Sequence, residues 1–103
     1  KAIQMYDYII ETDSNIYHAF FNKGYVYLEL LKDYPQAIAA FTKAIKLDSE
    51  SYPAYYNRGF SYELMGNLAA AEADYRKALE IMPNYDLAVD GLNDVIDKQR
   101  GRK

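Results

Sequence analysis

The chain repeats itself, and that fact restricts its fold more than any other. Phe20-Phe21-Asn22-Lys23-Gly24-Tyr25-Val26-Tyr27 lies over Tyr55-Tyr56-Asn57-Arg58-Gly59-Phe60-Ser61-Tyr62 at an offset of 35. Further on, Ala37, Phe41 and Ala44 lie over Ala71, Tyr75 and Ala78 at an offset of 34. The one-residue difference is expected in the turn around Lys32 to Gln36, where an insertion is cheapest. A third, partial copy opens the chain: Ala2, Ile3, Tyr6, Ile10, Asp13, Ser14 and Tyr17 match Ala37, Ile38, Phe41, Ile45, Asp48, Ser49 and Tyr52 without a gap. A unit of this size cannot bury its own apolar face, so copies must stack and cover one another.

Within each copy the apolar residues recur at three and four positions, the spacing of helices. This predicts helices at about 2–12, 17–31, 35–47, 53–65, 68–81 and 86–98, six in all. Ser14 or Asn15 can cap the second. Pro35 and Pro53 suit first turns, where a missing N–H costs little. Gly66 followed by Asn67 reads as a helix C-cap and then an N-cap, and Pro83 stops the fifth helix. Gly24 and Gly59, with Ala44 and Ala78, are the small residues through which paired helices can approach closely, while Tyr27, Phe41, Tyr62 and Tyr75 fill the layers between. In the last segment Val89, Leu92, Val95 and Ile96 form an apolar face backed by Asp86, Asp90, Asp94 and Asp97, as expected of a helix that closes a stack.

These residues resemble the tetratricopeptide repeat family, with its period of about 34 residues and its pattern W-x2-L-G-x2-Y…A-x3-F…P. Tyr55, Gly59, Tyr62, Ala71, Tyr75, Ala78 and Pro83 take the signature positions in one copy; Phe20, Gly24, Tyr27, Ala37, Phe41 and Ala44 take them in the other. The chain departs from the pattern in lacking the leading Trp, in carrying Lys23 and Arg58 where Leu is usual, in having Ser49 for the closing Pro, and in placing Ile9 at a small-residue position. The resemblance implies an all-α stack of antiparallel helix hairpins over residues 1–97. Residues 1–16 are then the second helix of a partial repeat, 17–51 and 52–85 two repeats, 86–97 a closing helix and 98–103 a basic tail. The first helix, with Ile3, Met5, Tyr6, Tyr8, Ile9 and Ile10, is apolar nearly all round. Its hairpin partner is expected upstream, and the chain, opening at Lys1, is expected to be a fragment or processed form.

The family likeness also implies a function. Such stacks are protein-binding scaffolds, and the first helix of each hairpin lines a concave groove. The groove positions carried over are His18, Phe21, Asn22, Tyr25 and Glu29 from one copy and Tyr56, Asn57, Phe60 and Glu63 from the next. Phe21, Tyr25, Tyr56 and Phe60 would make an aromatic floor, since aromatics bury much area with few rotors. Asn22 and Asn57, one repeat apart, could hydrogen-bond an extended peptide backbone, although Asn also suits a plain solvated helix face. The clamp by which some family members grip acidic C-termini is not expected: Leu87 and Gly91 stand where basic residues would be needed, with Asp90 and Asp94 beside them. A neutral or basic peptide fits better. Lys23 and Arg58 are expected to lay apolar stems in the seam and hold their charges in water. The alternative function is structural self-association, a homo-oligomer or domain swap through the apolar first helix.

Composition narrows the field further. The net charge is −3, but setting aside Lys98, Arg100, Arg102 and Lys103 leaves 8 basic against 15 acidic residues. That acidic body argues against a nucleic-acid partner, which demands a basic face. No apolar run is long enough to span a bilayer. With no Cys and one His, cysteine chemistry is excluded and no metal-ligand cluster is expected. The stripe Asp86, Asp90, Asp94 reads as a solvated face. His18 lacks a neighbouring nucleophile or paired carboxylate, so no enzyme activity and no cofactor are expected. The compartment is open, with the cytoplasm favoured.

Overall fold

A computed structural model describes the backbone of residues 4–101 and the side chains of residues 15–101. It is all-α: α1 (Gln4–Val26), running into a five-residue π-helical turn (Tyr27–Leu31), then α2 (Tyr34–Leu47), α3 (Tyr52–Leu64), α4 (Leu68–Ile81) and α5 (Asp86–Gln99). Each helix packs chiefly against its neighbours in sequence, with a smaller contact of α3 on α5. Two hairpins, α1–α2 and α3–α4, therefore stack side by side and α5 lies over the second, within an elongated body of 51 × 29 × 20 Å. The apolar side chains expected on the first helix, Ile3 to Ile10, lie outside the described side chains.

The helix starts are chemically local. Asp33, Ser51 and Asn67 each accept a hydrogen bond from the backbone N–H three residues on, at 3.3, 3.2 and 3.3 Å. Each satisfies a donor that the helix itself cannot use. Pro35 and Pro53 sit in the first turns of α2 and α3.

Two expectations need correction. Six helices were expected and five are found among the described residues, because residues 13–16 continue α1 instead of breaking it. The reason is visible in the repeat alignment, where Tyr17 matches Tyr52 and His18 stands opposite Pro53. Pro53 lacks an N–H and its ring clashes with the carbonyl four residues back, so it is accommodated in a first turn and breaks a helix that enters from further upstream. His18 imposes no such stop, and Ser14 and Asn15 become mid-helix residues rather than caps.

The second correction concerns the extra residue of the first copy. It is absorbed in the π-helical turn Tyr27–Leu31, before the connection where it was expected. Both hairpins close alike, with the N–H of the α2 or α4 capping residue reaching back to the repeat tyrosine: Asn67 to the Tyr62 carbonyl and Asp33 to the Tyr27 carbonyl, each at 2.9 Å. The first ring holds one more residue, and widening the helix by one residue per turn accommodates it. The wide turn ends on Lys32, a non-glycine residue in the left-handed region at φ 55°, whereas the second hairpin uses Gly66 at φ 85°. A side chain there is strained, so Lys32→Gly is expected to raise the unfolding free energy by about 0.5–1 kcal/mol, read from urea denaturation.

The core follows the small residues. Ala37, Phe41, Ala44, Ala54, Ala71, Tyr75, Ala78, Ala88 and Val95 are wholly buried. A Cβ on Gly24 would stand 2.8 Å from the Phe41 ring, one on Gly59 3.1 Å from Tyr75, and one on Gly91 2.6 Å from Tyr75. The last contact sets how α5 docks. Its buried residues are Ala88 and Val95, with Gly91 and Leu92 half-buried, while Val89, expected on the apolar face, is 36% exposed. The helix turns Gly91 toward the Tyr75 ring because a larger residue there would hold it off.

Candidate functional site

A cavity opens between α3 and α5. On α3, the Tyr56 and Phe60 rings are stacked nearly parallel, 5° apart with centroids at 6.2 Å, as one turn of helix dictates. Tyr56 is wedged from two further sides, by Tyr85 at 5.7 Å and Tyr75 at 5.7 Å, and Tyr85 meets Tyr52 at 4.9 Å. Opposite them, α5 contributes Leu87, Asp90, Gly91 and Asp94. Together with Glu63 and Tyr75 these groups line an open cavity of about 340 Å³.

The base of this cavity is a hydrogen-bonded knot absent from the sequence reading. The hydroxyl of the buried Tyr75 donates to Glu63 Oε1 at 2.7 Å, and Lys98 Nζ donates to Glu63 Oε2 at 2.8 Å. Lys98 also lies 3.3 Å from Asp94. It is therefore a residue of α5 that ties the helix to α3, although the basic tail was expected to begin at residue 98. Burial holds the Glu63 carboxyl above its usual range; its hydrogen bond with Asp94 adds to this, and the bonds from Lys98 and Tyr75 only partly oppose it. Lys98 is raised as well, chiefly by its bond to Glu63. With a folded value above the unfolded one, Glu63 contributes its full stability only below the ordinary carboxylate range, and loses it as pH rises through the raised value. The Lys98 contribution is lost only above the lysine range. From mildly acidic to neutral pH, stability should therefore fall more in the parent chain than in Glu63→Gln, a difference measurable as urea midpoints across that range.

The predicted groove residues divide. Tyr56, Phe60 and Glu63 come together at the cavity. Phe21 is drawn partly into the core, edge-on to Phe41 at 5.6 Å and stacked with Tyr17. Tyr25, at 49% exposed, lies open to solvent, as do His18, Asn22 and Glu29. His18 sits edge-on to Tyr17 at 5.0 Å. Asn57 is half-buried and donates to the Pro53 carbonyl on its own helix at 2.9 Å, so it differs from Asn22, its exposed equivalent.

Arg58 also departs from expectation. Its head does not simply reach water. Nε and Nη2 donate to the two Asp74 oxygens, both at 2.8 Å, and Nη1 donates to Thr42 at 3.1 Å. The guanidinium thus clasps α4 of its own hairpin and α2 of the preceding one. Its bonds to Asp74 hold the guanidinium more firmly protonated than usual. Lys23, the equivalent residue in the first copy, faces Ala40 where the second copy has Asp74, and it remains exposed.

The comparisons with known proteins agree with this architecture. A family model for the tetratricopeptide repeat matches residues 52–85, and a second model for the same repeat matches residues 31–66. Among solved structures, the Arabidopsis OM64 TPR domain superposes with a TM-score of 0.78 at 27% identity, covering 94% of this chain and 79% of that one. No curated protein is significantly similar in sequence. Domains of this kind are generally protein–protein interaction modules and typically non-catalytic, and no catalytic family was identified. Among the described residues no helix is long and apolar enough to cross a membrane. The recurring aromatic, glycine and alanine positions, the paired helices they build and the matching repeat models together establish that this chain belongs to the tetratricopeptide repeat family.

Proposed function

We propose that the chain is a binding scaffold whose inner face, centred on the cavity between α3 and α5, holds an extended segment or a helix of a partner protein that is neutral or basic. The observation that carries this reading is the stacked Tyr56–Phe60 pair, half-buried at an open cavity with Leu87 on the facing wall. Rigid rings already fixed by their neighbours lose little entropy on binding and present a large apolar area. The acidic residues of the same wall, Asp90 and Asp94, repel an acidic ligand.

The test is a selection from a random displayed dodecapeptide library, followed by binding of the enriched peptides to the double variant Tyr56→Ala/Phe60→Ala. The expected result is a loss of at least about tenfold in affinity, since each aromatic anchor contributes on the order of 1–2 kcal/mol or more. Circular dichroism must show the variant still helical. Enriched peptides that bind this folded variant undiminished would remove the groove assignment.

A further inference from the structure

We propose that the cavity between α3 and α5 is a subsite for a single arginine side chain of the bound segment. This rests on the reading of the inner face as the ligand groove, and adds the chemistry of one contact.

The two walls differ in a way that suits one kind of group. On α3, the parallel rings of Tyr56 and Phe60 line the cavity, and the face of an aromatic ring is the negative part of its quadrupole. On α5, Asp90 is exposed at the rim and Asp94 stands one turn further on. The surrounding charge has the same sign. Burial holds the Tyr56 phenol proton more tightly than usual, and the fields of Glu63, Glu29 and Asp90 reinforce it. The cation in the neighbourhood, Lys98, is already bound to Glu63 and Asp94. Among the described residues neither Asp90 nor Glu29 takes part in an ion pair, so a surplus of negative charge remains.

A cationic side chain answers both walls, and a guanidinium answers them better than an ammonium. Its flat face can lie on the rings while its edge donates paired hydrogen bonds to a carboxylate. An ammonium offers a compact, strongly hydrated charge that does less well at the first task. The volume of about 340 Å³ accommodates one such side chain rather than a folded element.

The experiment titrates three hexapeptides into the full chain and follows backbone amide NMR shifts. Each is made of glycine and serine, blocked at both ends, with one central arginine, lysine or citrulline. Citrulline keeps the shape of arginine and removes its charge. The expected result is that the arginine peptide shifts the amides of Phe60, Leu87 and Gly91, and binds about threefold tighter than the lysine peptide and about tenfold tighter than the citrulline peptide. Asp90→Asn, an exposed change that leaves the packing alone, should weaken the arginine peptide about fivefold and leave the citrulline peptide unchanged. Equal binding of citrulline, equal binding of lysine, or shifts confined to other faces would each overturn the proposal. The groove reading fails separately: library peptides that depend on Tyr56 and Phe60 but show no arginine would keep the groove and remove the subsite.

Discussion

Tyr75→Ala is expected to destabilise the chain by about 3–5 kcal/mol, the range for deleting a fully buried aromatic ring. Three elements lose a contact at once. The ring fills the space left by Gly59 on α3 and Gly91 on α5, and its hydroxyl is a donor to Glu63. Removing it opens a void between three helices and leaves a buried carboxyl with one fewer partner. Tyr75→Phe separates the two effects: it keeps the ring and should cost about 1–2 kcal/mol through the lost hydrogen bond. Urea unfolding of both variants provides the measurement. A loss below about 1 kcal/mol for the alanine variant would mean that α5 does not rest on this ring. A small domain has only about 5–15 kcal/mol of total stability, so the alanine variant should be at the edge of folding at physiological temperature.

The second large effect is expected at Asp74. Its carboxylate, only 7% exposed, receives both arms of the Arg58 guanidinium, itself 19% exposed. Asp74→Ala would leave that cation largely out of water with Thr42 as its one remaining hydrogen-bond partner among the described residues. Stranding a buried charge costs about 3–5 kcal/mol, far more than the pair contributes over a well-packed apolar replacement. The double change Arg58→Met/Asp74→Leu should therefore be closer to the parent than Asp74→Ala alone. Thermal unfolding of the three chains tests the order. If Asp74→Ala is within about 1 kcal/mol of the parent, the guanidinium must find water or another acceptor, and the clasp between the hairpins is not what holds it.

The parts of the fold that were legible in the sequence are those in which chemistry acts over a few residues or recurs. The cap at Asn67, the first-turn positions of Pro35 and Pro53, the stop at Pro83 and the close approach at Gly24 and Gly59 each depend on the local residue, on its echo one copy away, or on both. What was misread depended on one copy lacking what the other has. The junction at 13–16 has no counterpart of Pro53, so a turn present in one repeat was assigned to another that does not enforce it. The extra residue was placed in the connection, although the hydrogen bond from the next cap to the repeat tyrosine fixes the connection and leaves the end of α1 to widen.

Legibility of the candidate site follows the same division. Tyr56, Phe60 and Glu63 were named from their position in the repeat, and they do line the cavity. Phe21 and Tyr25 were named on the same ground but do not join them, because their neighbours differ: Phe41 draws Phe21 inward, and Tyr25 stands half-exposed. The Glu63–Tyr75–Lys98 knot and the Arg58–Asp74 pair join residues 12, 35 and 16 apart in sequence. The separations of 12 and 16 follow no period of the chain, and that of 35 equals the repeat offset, which marks equivalent positions rather than a contact. A comparison of the copies gives the nearest signal, since Asp74 aligns with Ala40 and Glu63 with Leu28: a charge that replaces a buried apolar residue in one copy needs a partner that the other copy does not.

Among the described residues α5 has packed neighbours on one side alone, and a helix so placed is ordinarily the first to peel away. Here its detachment would uncover a phenol ring that also serves the preceding pair of helices, and would strip a lysine from a carboxylate shielded from water. End-fraying is thereby converted into a loss felt by the whole second unit, so amide protons along α5 should exchange with solvent in step with those of α3 and α4 rather than ahead of them.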